Sequence, residues 1–264
     1  MARIARLTSN FTRVGPEYRF GDQTDFHEIK QTFGFKTITI GSWVSASEQR
    51  IGANLIYDAL ADLAQILQVP PLVIGLKNTL NFAFGTGGQL GVQAHYNAST
   101  RTLALAKNAG AGALAHEWWH AFDHYICKRV FANTYAHGFA SSVWLKQPIY
   151  NPHPLNLQLD KFFKTIFLTD KGAQPSEFFE SAKNLDKRYG ILYFSRPEEL
   201  SARAFETCIA NNSVIRNDYL VSGVKNSELA HQGGFPSAIN TAILSDIIFE
   251  YFSVLGTALH HRSG

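Results

Sequence analysis

The sequence predicts an α+β fold, mostly helical, with a small mixed or antiparallel sheet packed beside one central helix. Three observations carry this. Residues 48–67 repeat apolar side chains at helical spacing, between a capping signal and a proline stop. Residues 36–44 and 92–107 are β-prone runs, the second broken by the turn-forming NAST. Residues 112–126, GALAHEWWHAFDHYI, follow directly and open with small residues suited to close packing against a sheet.

The elements follow in chain order. Residues 1–35 are polar and turn-rich and read as an N-terminal arm or cap. KTITIGSWV (36–44) is β-branched and reads as a strand. Ser45 with Glu48 forms a capping box, and Ile51, Leu55, Ala59, Leu63 and Leu67 then share one helical face until Pro70-Pro71 stops them. PLVIG (71–75) and LNFAF (80–84) read as short strands, GTGGQLG (85–91) as a loop, and 92–107 as a hairpin. The loop lacks the Gly-Lys-Ser/Thr of a phosphate-binding P-loop. Helices are expected over about 155–169, 174–188, 196–210 and 236–258.

The chain has 264 residues, 45% apolar and 17% charged, which is globular and long enough to bury a substantial core. Its net charge of +3 is not gathered into a basic run, so nucleic acid is not indicated. The two cysteines, Cys127 and Cys208, exclude a disulfide-dense scaffold and a cysteine-rich zinc finger. The opening MARIARLTSNFTRVGPEYRF has no apolar stretch of signal-peptide length. Polar residues break the later apolar runs, so no membrane span is expected and the expected location is cytoplasmic. With no repeat and no linker, residues 36–264 read as one domain with room for two lobes flanking a cleft. No pattern speaks to oligomeric state.

The chemistry lies in His116-Glu117-x-x-His120. At 100° per residue, His120 stands about 40° round the helix from His116, so both imidazoles reach one ion. Glu117, displaced by about 100°, can instead hold a water beside that ion and take its proton. A catalytic zinc needs a third protein ligand and an open position. The long metzincin motif would place a histidine at 126, where this chain has Ile126. On the helix itself, Asp123 (about 20° from His116) and His124 (about 80°) are candidates. A rigid helix does not readily wrap three ligands round one ion, so Asp123 is expected to hydrogen-bond His120 and fix its tautomer.

The better third ligand is remote. In YFSRPEELSARAFETCI (193–209), Ser195 and Glu198 form a capping signal, and Glu199, Ala202 and Phe205/Glu206 share a face. Glu199 would reach the metal, the small Ala202 would allow close approach, and Glu198 would face solvent. The competing explanation is that both glutamates only favour the positive end of the helix. Arg203 either anchors a carboxylate such as Asp123 or Glu206 or stays solvated. Trp118, Trp119 and Cys127 read as core. The strand at 102–107, or its hairpin partner, could hold a substrate backbone by strand addition.

AHYN, TRTLALAKNAGAG, LAHEW and HAFDHYI, together with RPEEL and ARAFE, resemble the CLCA_X family, bacterial proteins of similar length with a zincin-like domain. The likeness runs from PEYRFGDQ and TFGFKTITIG into the C-terminal third. The same helix pairing is similar to the metallopeptidase-like large polyvalent-protein-associated domain carried by mobile elements. These resemblances imply a gluzincin arrangement, with Zn2+ on His116, His120 and Glu199 and with Glu117 as catalytic base. They imply no particular substrate beyond a peptide or protein. For the oxyanion donor, Tyr193 comes first by position, then His95 and Tyr96. The expectation is thus a cytoplasmic zinc metallopeptidase. The alternatives are a non-hydrolytic zincin-like binding scaffold and a mobile-element accessory protein.

Overall fold

A computed structural model describes residues 7, 10–86, 94–108, 112–132, 138–169, 172 and 174–260. The order is β1 (Arg13–Val14), α1 (Phe26–Phe33), β2 (Thr37–Ile40), α2 (Ala46–Ile66), β3 (Asn81–Phe84), β4 (Ala94–Asn97), β5 (Thr102–Leu105), α3 (Leu114–Val130), α4 (Ala140–Trp144), α5 (Pro154–Phe167), α6 (Glu177–Tyr189), α7 (Pro197–Ala210), β6 (Arg216–Asn217), α8 (Glu228–His231) and α9 (Ala238–His260). This is the expected α+β architecture, dominated by helices.

The segment expected to be an irregular arm contains α1. Asp25 accepts the Glu28 N–H as N-cap, Gly34 closes the helix in the left-handed conformation, and Phe26, Ile29 and Phe33 enter the core. The irregular part therefore ends near residue 25. It is tied down: β1 pairs antiparallel with β6, Arg13 grips the fully buried Asp62 with two bonds of 2.8 Å, and Arg19 grips Asp58.

Helix α2 carries its capping box as expected, with Ser45 and Glu48 reciprocally bonded. After it the PLVIG segment is not a strand. Pro71–Val73 forms a 3-10 turn, because prolines have no N–H for a ladder and their fixed φ suits a helical first turn. LNFAF does form β3. The main sheet is mixed, in the order β2-β3-β5-β4, with β2, β3 and β5 parallel and β4 antiparallel to β5. The hairpin forms as expected, but β5 is interior to the sheet. Among the described residues, the sheet edge beside α3 is its partner β4. Most of the GTGGQLG loop lies outside the described residues.

Helix α3 packs across β4 and β5. Its start is docked on the segment after β6: Gly112 N–H donates to Tyr219 O and Ala115 N–H to Leu220 O. Gly112 has φ +85°, and a Cβ there would come within 1.9 Å of Ser222 Oγ, so glycine is required. On its inner side Trp118, Trp119 and Phe122 are buried, and Trp119 stacks on Phe205 of α7 with centroids 4.6 Å apart. Ala202, also fully buried, lets the two helices approach. Cys127 and Cys208 are buried and not joined in a disulfide, with Cys127 in the core as expected.

Among the described residues one helix, α9, is long and apolar enough to cross a membrane by length and composition. Only one face of it enters the core, about a third of its apolar stretch being buried. Leu244, Ile248, Tyr251 and Phe252 are buried as it packs on α5 and α7, and its outer face exposes Asp246 and Glu250.

Candidate metal centre

Two helices build the centre. His116 and His120 stand one turn apart on α3, and Glu199 comes from the first turn of α7. Their ligating atoms converge: His116 Nε2 to His120 Nε2 is 3.1 Å, His116 Nε2 to Glu199 Oε2 3.3 Å, and His120 Nε2 to Glu199 Oε1 3.5 Å. Tetrahedral zinc with bonds of about 2.0–2.1 Å sets neighbouring ligand atoms about 3.3 Å apart. The donor set therefore fits zinc in spacing and in type. Among the described residues this is the group of histidine and carboxylate atoms clustered closely enough to hold an ion. Glu199 Oε2 and His120 Nδ1 are buried without hydrogen bonds, although each belongs to a group that water would otherwise satisfy.

The far side of His116 is held by a residue the sequence reading did not put there. Glu206 Oε1 lies 3.1 Å from His116 Nδ1, an arrangement that fixes the ring and leaves Nε2 free as a ligand. Asp123, expected to do this for His120, is otherwise engaged. Its oxygens accept Ser141 N–H at 2.9 Å and Ser141 Oγ at 2.5 Å, and Ser201 Oγ approaches at 3.4 Å. At 0% exposure beneath the helix, it anchors α4 to α3. His124 is taken by Tyr96, whose hydroxyl lies 2.7 Å from Nδ1. Tyr96 is therefore not free to serve as an oxyanion donor, and His95 is exposed on β4.

Charge balance differs among the four groups. Burial pushes the His116 pKa down, but Glu206 and Glu199 together outweigh it and raise it well above the usual value. His120 is lowered to about 3 by burial and then by His116. Burial pushes Glu199 up, yet His116, His120 and Tyr193 bring it to about 2. Burial lifts Glu117 to about 7, with Glu199 and Glu206 adding to the rise and His116 and the Tyr96 N–H opposing it. The edge-strand amide of Tyr96 thus donates to the Glu117 carboxylate, which lies near enough to His116 for each to shift the other.

Tyr193, just before α7, stands within hydrogen-bonding reach of Glu199, and burial of its hydroxyl followed by that carboxylate raises its pKa. Its turn is held from α6. The Asp186 carboxylate accepts the N–H groups of Tyr193, Phe194 and Ser195 at 2.9, 2.7 and 2.9 Å, as well as the Ser195 hydroxyl. With Ser195 so engaged, the expected capping box of α7 does not form; Arg196 is the N-cap residue and makes no side-chain cap. Glu198 is half-buried and accepts Ser142 Oγ at 2.8 Å. Arg203 anchors no carboxylate and is not solvated. At 2% exposure its guanidinium donates to the carbonyls of Gly234, Glu199 and Phe194.

Sequence reasoning thus reached His116, Glu117, His120, Glu199 and Tyr193, and the structure brings them together. It placed Glu206 on the Glu199 face without giving it a role towards His116, and it missed Asp186. The shared face, seven residues on from Glu199, was the signal that could have given Glu206 its role.

Residues 185–259 match the family model described as large polyvalent protein-associated domain 1. No curated protein and no solved structure matches the chain. The matched segment spans the end of α6, all of α7 and almost all of α9. It therefore includes Tyr193, Glu199 and Glu206 but neither histidine of α3.

Proposed function

We propose that this protein is a zinc-dependent metallopeptidase. One observation carries the reading: His116 Nε2, His120 Nε2 and the Glu199 carboxylate converge at 3.1–3.5 Å, with Glu117 alongside on the same helix. His116, His120 and Glu199 would hold the ion. When bound, zinc would supply a Lewis acid that polarises a peptide carbonyl and lowers the pKa of water towards about 7. Glu117 takes the proton of the attacking water and delivers it to the leaving amine. The Tyr193 hydroxyl donates a hydrogen bond to the carbonyl oxygen as it gains charge. Glu206 positions His116. The edge of β4 would offer its backbone groups other than the Tyr96 amide, which Glu117 engages, to an extended peptide. A cytoplasmic location accords with two buried cysteines that are not joined in a disulfide.

The test is metal content by mass spectrometry, on protein purified without chelator or histidine tag. The expected result is about one zinc per chain in the wild type and in Glu198→Ala, and none in Glu199→Ala. Folded wild-type protein without stoichiometric metal would sink the reading. A second reading is a non-hydrolytic module of a large polyvalent protein carried by a mobile element. The match over residues 185–259 favours it, because that segment includes Glu199 without the histidines. Zinc bound with no cleavage of any peptide pool would support this alternative.

A further inference from the structure

An apolar groove opens on the side of α3 away from the metal centre. Phe122, Tyr125, Ile126 and Arg129 of that helix line it, and they stand about 180–280° round from His116. Its volume is about 530 Å³, within the range of about 300–1,000 Å³ that small-molecule sites occupy. The floor is Phe122 with Tyr251 of α9, both 2% exposed. The sides are Leu72 from the 3-10 turn, Leu155 from the first turn of α5 and Leu255 from α9.

Charge at the groove has one sign. Lys77, Arg129 and His153 line it, and among the described residues no aspartate or glutamate does. Arg129 is fixed in place: its guanidinium sits 3.8 Å above the centre of the Tyr125 ring, and one N–H donates to Tyr125 O at 2.8 Å. Among the described residues no carboxylate pairs with Arg129 or Lys77. The other guanidinium donors are therefore open to a ligand. Lys77 stands on an equally fixed turn. Leu76, Lys77 and Asn78 all take left-handed backbone, with φ of 52°, 55° and 59°, against their own preference. The turn is held where Gly75 N–H donates to Phe33 O and Thr79 Oγ1 to Leu76 O. Helix α5 begins at the same groove with His153 as its N-cap, which adds the positive end of a helix. A smaller cavity that shares Leu76, Tyr125 and Arg129 brings Arg101 and Lys128 alongside, again without an acid.

We propose that this groove binds a small anionic amphiphile, with one alkyl chain over Phe122 and Tyr251 and a carboxylate or phosphate head against Arg129 and Lys77. An apolar floor excludes a sugar or nucleotide, whose buried polar groups would lack partners. Cations without counter-charge select an anionic head over a cationic one. A partner helix would need a row of anchor pockets over two or more turns, whereas one cavity of this volume suits a single chain. The site is separate from the metal centre and does not depend on zinc.

The test is calorimetric titration of the full chain with decanoate, decyl phosphate and decyltrimethylammonium, each below its micelle concentration, and with acetate and inorganic phosphate. At least one of the two decyl anions is expected to bind at one per chain, about tenfold or more tightly than decyltrimethylammonium. Acetate and inorganic phosphate should show no binding. Arg129→Gln combined with Lys77→Gln should remove the preference for the anion and leave the affinity for decyltrimethylammonium as it was. Ala258→Trp, an exposed position on the groove, should fill it and abolish binding of every decyl compound. Failure of both decyl anions to bind, equal affinity for anion and cation, or binding that survives Ala258→Trp would overturn the proposal. So would sedimentation with phosphatidylglycerol vesicles in the absence of any binding of the monomeric decyl anions, which would make this face a membrane contact.

Discussion

Glu206 stands two helical turns after Glu199 on α7, and its carboxylate lies 3.1 Å from Nδ1 of His116 on α3. One helix face thus supplies both a candidate ligand and the acid that orients another. Glu206→Gln is expected to fold normally and to weaken zinc binding by about 10–100-fold, as removal of such partners does elsewhere. Competition with a chromophoric chelator measures this directly, and unchanged affinity would separate Glu206 from the centre.

Zinc should also stabilise the fold, because its candidate ligands come from two helices that unfolding separates. At a free concentration of about 100 times Kd the gain is about 2.7 kcal/mol. For a chain of this size that is a rise in Tm of about 5–10 °C. Calorimetric scans with zinc and with chelator give the difference. The Glu199→Ala protein should show no such rise.

Tyr193→Phe should retain metal and Tm, since the ring remains and only the hydroxyl is lost. With a cleaved peptide in hand, kcat is expected to fall about 100-fold with little change in KM. A fall in metal content would mean that the hydroxyl serves Glu199 and not the substrate.

Asp186 predicts an acid limit to stability. Burial pushes its pKa up, but the Ser195 hydroxyl and three backbone amides outweigh that and lower it. The folded value therefore lies below the unfolded one of about 3.9. Its contribution is complete above that pH and is lost as the pH falls through the folded value. Asp186→Asn should cost about 2 kcal/mol at pH 7 and flatten the decline in stability below pH 4. Urea titrations at several pH values test both parts.

Asp62 is fully buried against Arg13, and Asn217 Nδ2 also donates to it at 2.8 Å. Arg13→Ala leaves a buried carboxylate short of its countercharge and should cost about 3 kcal/mol. Chemical denaturation measures the loss. Asp62→Asn in the same chain should recover part of it, and no recovery would point to packing as the cause.

Where local chemistry decided the structure, the sequence was readable. His116 and His120 share a face because four residues advance a helix by little more than a turn. Ser45 and Glu48 cap α2 because each satisfies an amide of the other. The turn at 97–101 pairs β4 with β5. Where long-range partners decided, local patterns misled. Ser195 and Glu198 have capping-box spacing, yet Asp186 of α6 claims one and Ser142 of α4 the other. Asp123 sits correctly on the helical wheel to help the metal, but Ser141 offers it an amide and a hydroxyl. The first helix was missed for a different reason. Asp25, Glu28 and Gly34 are ordinary start and stop signals, overlooked within a polar stretch.

The pairing of β1 with β6 bears on how the chain assembles. Thr12 N–H donates to Asp218 across 206 positions of sequence, so closing this contact early would sacrifice the freedom of most of the polypeptide. Contacts of such separation form slowly. The segment holding Arg13 is therefore expected to dock last, after the helices and the sheet have condensed. A protein caught before that step would have α3 and α7 already packed together and Asp62 still open to water.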